Sequence, residues 1–115
     1  MNNSRRDVLR EVISVMEELK NVENNETILE KLEQAGYDLD IAYDEEQDAY
    51  DNMPENLMFS RRADDLSDNA SNLLDASIDI LDVIDAYKES DSNPYHKIES
   101  KILSVIKNCT EAIER

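Results

Sequence analysis

Seven aspartates, Asp64, Asp65, Asp68, Asp75, Asp79, Asp82 and Asp85, occupy a stretch that holds no other acid. Several lie three or four residues apart, the spacing that stacks side chains on one helix face about 5–6 Å from each other. A second acidic run, Asp38, Asp40, Asp44, Glu45, Glu46 and Asp48, lies upstream. Carboxylates set out this way can bind a cation, exchange a proton, or stand as a row of fixed negative charge. Aspartate is a poorer helix former than glutamate, so a run of it gives up helicity and holds charge in place on a short side chain. Such a row comes near the phosphate spacing of a nucleic-acid strand. Two readings follow: a face that substitutes for nucleic acid, or a solvated face of an acidic protein.

The other chemistry that these residue types suggest does not assemble. A di-iron bundle needs Glu-x-x-His pairs facing inward from two helices, and the single histidine, His96, has no glutamate three residues before it. A calcium loop alternates oxygen ligands around a glycine; the run from Asp38 to Glu46 lacks that glycine and reads as helix. One glycine, Gly36, leaves no phosphate-cradling loop. Cys109 falls on an apolar seam far from His96 and reads as a structural thiol. No apolar pocket is evident that would raise a carboxyl pKa for acid catalysis. The expectation is a non-enzymatic protein with no catalytic residue, no cofactor and no metal.

The charge itself is uneven. The chain carries −16, and residues 32–87 hold sixteen acids against only Arg61 and Arg62, while both flanks are close to neutral. That density repels nucleic acid and anionic membranes and attracts basic proteins. Apolar runs are too short for a membrane span. The amino terminus begins basic without the apolar stretch of a signal peptide, and the lone cysteine fits a reducing compartment, so a cytoplasmic protein is expected.

One glycine and two prolines in 115 residues provide too few turns for a sandwich or barrel; helices remain. Ser4 is the expected cap of a first helix over about 4–21, with Val8, Val12, Val15 and Leu19 at its seam and Leu9, Ile13 and Met16 widening it. Thr27 and Glu30 read as a capping box for a second helix over about 27–50, seamed by Ile28, Leu32, Ala35, Leu39 and Ala42. The join between these two is either a kink or a break. Gly36 within the second helix costs about 1 kcal/mol relative to alanine, which close approach of a neighbouring helix would justify. Pro54 ends the segment. Ser60 starts a third helix over about 60–88, where Ala63, Leu66, Ala70, Leu73, Ser77, Ile80, Ile84 and Tyr87 repeat without a miss. Ser92 or Asn93 caps a fourth over about 94–114, with Pro94 at its first position and Tyr95, Ile98, Ile102, Val105, Cys109 and Ala112 at its seam. Leu103, Ile106 and Ile113 widen that seam. The expected fold is an all-α, single-domain four-helix bundle over 1–115, built on a central acidic helical hairpin. The wide stripes of the first and last helices leave a dimer open.

The phrase Asp44-Glu45-Glu46-Gln47-Asp48-Ala49-Tyr50-Asp51-Asn52-Met53-Pro54-Glu55-Asn56-Leu57, followed by Ser60 and Arg61, resembles a loose group of small acidic helical proteins of Gram-positive bacteria, phages and mobile elements. The resemblance covers about half the chain and implies a helical hairpin and a mobile-element setting; it carries no activity and no functional residues. By analogy alone, that setting suggests inhibitors of host nucleases such as anti-CRISPR proteins, acting in the host cytoplasm if phage-encoded. Tyr87-x-x-x-Asp91 and Tyr95-x-x-x-Glu99 also resemble the export motif of type VII secretion substrates, although the Trp-x-Gly turn of that family is missing.

The leading expectation is a binding protein whose hairpin occupies the basic groove of a nucleic-acid-handling protein, a nuclease being one candidate, without itself touching nucleic acid or membrane. The residues expected to meet that partner are Asp38, Asp40, Asp44, Glu45, Glu46, Asp48, Asp64, Asp68, Asp75, Asp79 and Asp82. The competing expectation is a structural or adaptor protein, a homodimer or a partner chaperone such as one serving type VII secretion. It would work through Val8, Val12, Val15, Leu19, Ile102, Val105 and Ile113 of the first and fourth helices.

Overall fold

The computed structural model describes residues 1–90 and 92–115, and these form four helices. They are α1 (Asn3–Glu18), α2 (Glu26–Asp51), α3 (Arg61–Glu89) and α4 (Tyr95–Glu114), with a 3-10 turn at Glu55–Leu57. Each helix packs on its neighbours around a ring: α2 on α3, α3 on α4, and α1 on both α4 and α2. Contacts near opposite helix ends, such as Arg5 with Glu46 and Lys88 with Glu33, make adjacent helices antiparallel. The result is an up-down-up-down four-helix rod measuring 54 × 21 × 20 Å.

The core follows the apolar periodicity closely in α2 and α3. All five expected seam residues of α2 and all eight of α3 are buried. Gly36 faces α3 closely; a Cβ there would lie 3.3 Å from Cδ1 of Ile84 and 3.7 Å from Cγ2 of Ile80. In α1 the buried side is Leu9, Val12, Val15, Met16 and Leu19, while Val8 turns outward. Leu103 of α4 is exposed as well. Val12, Val15, Leu19, Ile102 and Val105, expected to form a face for another subunit, instead fill the molecule's own core.

Asparagines cap α1 and α2 where serine and threonine were expected, and Asn93, one of the two caps expected for α4, accepts at its start. Asn2 caps α1 through a bond from the Arg5 N–H (2.8 Å), in place of Ser4. Asn25 caps α2 by accepting from Ile28 (3.0 Å), in place of Thr27. Between them the chain truly breaks, and α1 stops at Glu18, three residues short of expectation. Asn24 donates to the carbonyls of Tyr87 and Ser90 at the end of α3 (2.8 and 2.7 Å). Asn93 donates to Leu19 and Val22 and accepts from the Tyr95 N–H and the Tyr87 hydroxyl. At the opposite end, Ser60 caps α3 as expected, accepting from the Ala63 N–H (3.2 Å).

Candidate interaction surface

The outer side of α2 carries the longest free row of acid. At three- and four-residue steps, Glu26, Glu30, Glu33, Tyr37, Asp40, Asp44, Asp48 and Asp51 all face solvent. At 1.5 Å rise per residue they extend over about 37 Å. Of the seven carboxylates, Glu33 alone meets a base among the described residues, Lys88 at 3.2 Å. Asp40, Asp44 and Asp48 were expected from the sequence; Glu26, Glu30, Glu33, Tyr37 and Asp51 were not. Their signal is legible in hindsight as a heptad-like repeat opposite the seam. Asp38 lies to one side, half-buried, and accepts from Gln34.

The aspartates of α3 do not stand free in the same way. Asp68 pairs with Arg115 at 2.7 Å. Asp79, only 16% exposed, accepts from the Ser104 hydroxyl and pairs with Lys101 at 3.4 Å, while Asp82 meets Lys101 at 3.5 Å. The hydrogen bond from Lys101 to Asp79, together with the charges of Asp79 and Asp82, raises the Lys101 pKa above its usual value. This side of α3 is a seam against α4, and its charge is partly met there. Asp64 and Asp75 remain exposed and without a basic partner among the described residues.

Glu46 corrects the expected surface outright. Its side chain is fully buried, held by Nε of Arg5 at 2.8 Å, with the Asn69 amide at 3.5 Å. Arg5 also reaches Glu45 at 2.9 Å. A buried carboxylate needs both a counter-charge and hydrogen bonds, and α1 and α3 supply them from opposite sides. Oδ1 of Asn69 and Oγ of Ser77 are buried without a partner among the described residues.

Apolar side chains add a second feature to the hairpin. Leu74, Ile78 and Leu81 lie 41, 53 and 58% exposed at one-turn spacing on α3. At 100° per residue they fall on the side away from Asp79 and α4, towards α2. Phe59, at the hairpin turn, is 98% exposed.

The remaining chemical candidates are structural. Cys109 is buried and its thiol is pushed up to about 12, which keeps it protonated and a poor nucleophile. Tyr87 and Tyr95 are core residues; burial, then the proximity of Tyr95, pushes the Tyr87 hydroxyl up to about 12. Asp91 of the Tyr87-x-x-x-Asp91 pattern lies outside the described residues. His96 packs edge-on against Tyr95 with ring centroids 5.6 Å apart. Among the described residues no group of three or more His, Cys, Asp or Glu side chains is placed to hold a metal ion, and no helix is long and apolar enough to cross a membrane.

Fold and surface together define an antiparallel four-helix bundle with an acidic outer hairpin. Comparisons with protein-family models, curated proteins and solved structures find no match to this chain.

Proposed function

We propose that the chain is a non-enzymatic binding protein whose α2–α3 hairpin occupies a basic, nucleic-acid-binding groove on another protein and blocks it. The observation that carries this reading is the outward row of seven carboxylates on α2, six of them without a basic partner among the described residues. One charge per about 6 Å on average is sparser than the 3.4 Å axial spacing of phosphates on one DNA strand. It is enough to draw a lysine- and arginine-lined surface towards the hairpin and to discriminate against acidic partners. Leu74, Ile78 and Leu81 supply apolar contact on the same side of the hairpin. A nuclease inhibitor, the anti-defence class included, fits this chemistry.

The test is capture of basic proteins from lysate, followed by competition with a DNA duplex. Two variants are compared: Asp40→Asn with Asp44→Asn and Asp48→Asn on α2, and Asp79→Asn with Asp82→Asn on α3. The α2 variant is expected to lose the partner, and duplex DNA to displace the partner from the wild type. Because Asp79 and Asp82 already meet Lys101, the α3 variant is expected to retain it. A partner that survives neutralisation of α2, or that duplex DNA fails to displace, would overturn the proposal.

A further inference from the structure

Arg61 and Arg62, the only two bases in the acidic middle of the chain, are also its most anomalously placed charges. They occupy the first turn of α3, where aligned peptide dipoles favour anions and disfavour cations. Among the described residues neither makes an ion pair, in a chain with 28 acids to choose from. A charge that breaks a local rule without an evident structural return marks a functional position.

Their surroundings add to the anomaly. Arg61 and Arg62 line an open cleft of ≈ 310 Å³ together with Arg6, Arg115, Met1, Leu66 and Asp65. Four of the six arginines in the sequence therefore meet in one place, and no lysine joins them. Arg6 is held by donating to the backbone oxygens of Ile113 (3.1 Å) and Arg115 (3.4 Å) and to Oδ1 of Asn3 (3.2 Å). Arg115 is fixed by Asp68 at 2.7 Å. Two anchored arginines thus share the cleft with two free ones, and Asp65 is the one acidic side chain on the wall. Guanidinium forks pair bidentately with phosphate oxygens, which a lysine ammonium cannot do.

We propose that this cleft binds a small ligand carrying a di- or triphosphate group. Its size lies at the low end of the range for small-molecule sites, about 300–1,000 Å³. A nucleic-acid strand running on from the cleft would meet the acidic hairpin, whereas a short polyphosphate ends within the arginine mouth. Repulsion from the rest of the chain is screened beyond about 8 Å at physiological ionic strength.

The experiment is calorimetric titration of the full chain with inorganic pyrophosphate and, separately, with ATP, at ionic strength matched by sodium chloride. Binding at about 1 mM or tighter is expected. Equal affinities would assign recognition to the phosphates alone; tighter ATP would assign it to a nucleotide, and either result supports the site. Arg61→Gln with Arg62→Gln should weaken binding by about tenfold or more, while Arg10→Gln, whose partner is Asp7 on the surface of α1, should leave it unchanged. Should the double variant fail to fold by circular dichroism, the single Arg62→Lys decides: it keeps the charge, loses the fork, and should still weaken binding. No binding of either ligand at about 10 mM, or undiminished binding in the arginine variants, overturns the proposal.

Discussion

Removing Arg5 tests the energetics of the bundle most directly, because it strands the one fully buried carboxylate among the described residues. In Arg5→Met, Glu46 would keep only the Asn69 amide at 3.5 Å, beyond good hydrogen-bond length, and no route to water. With Nε and Oε1 at 2.8 Å, the charge centres lie about 4 Å apart, worth about 4 kcal/mol at an effective dielectric of about 20. Breaking one side of such a buried pair costs about 3–5 kcal/mol; the second contact, to exposed Glu45, adds little. A loss near 3 kcal/mol is expected, a large share of the roughly 5–15 kcal/mol that holds a domain folded. For a chain of this length the melting temperature should fall by about 10–15 °C. Urea denaturation followed by circular dichroism measures the loss. Replacing the whole cluster (Arg5→Met, Glu46→Leu and Asn69→Leu) should return stability to within about 1 kcal/mol of the wild type. A single-variant loss below about 1 kcal/mol, or a triple variant no better than the single, would show that Glu46 is not stranded and would refute the reasoning.

Stability should also fall in alkali. Cys109, Tyr87 and Lys101 all have folded pKa values raised above their ordinary 9.0, 10.0 and 10.5. Each contribution is therefore complete below those values and is lost as pH rises towards about 12, the value to which burial pushes the Cys109 thiol and the Tyr87 hydroxyl. Chemical denaturation across that window should show a steady decline that begins later in Cys109→Ala; a rise would contradict it. Gly36→Ala should stabilise by a few tenths of a kcal/mol: the helix gains about 1 kcal/mol, and the contact at 3.3 Å is with the terminal methyl of Ile84, which can turn aside. Gly36→Val, which adds two more methyl groups in the same place, should destabilise in the same urea assay. Raising salt from about 0.01 M to about 1 M shortens the screening length from about 30 to about 3 Å, so the melting temperature should climb as repulsion along the acidic row is screened.

The helices that read most clearly from the sequence are those whose apolar spacing repeats unbroken over many turns. Ala63 to Tyr87 repeats over more than three heptads and every expected position is buried, while the second apolar row of Leu74, Ile78 and Leu81 is too short to compete with it. In α1, Val8 and Leu9 are adjacent apolar residues that satisfy two phases equally; packing against both α2 and α4 selects Leu9. Caps were misread for a similar reason. Asn2 and Ser4, like Asn25 and Thr27, are near-equivalent N-caps, and where the chain enters the bundle decides between them. The burial of Glu46 has no local signal at all, since Arg5 stands 41 positions away. The acidic row of α2 lay in plain view, but Tyr37 and the mixture of Asp with Glu make it less conspicuous than the unbroken aspartates of α3, several of which answer to Lys101 and Arg115.

The order in which helices meet around the ring has a kinetic consequence. Three of the four packed pairs join helices adjacent in sequence, and only α1 with α4 brings together distant parts of the chain. Low average contact separation of this kind belongs to chains that fold in microseconds to milliseconds. The three hairpins can zip from their turns, leaving the α1–α4 seam as the one slow closure. Until Arg6 reaches the carbonyl of Ile113, α1 is a strut attached on one side, and the first segment to swing away when the molecule opens.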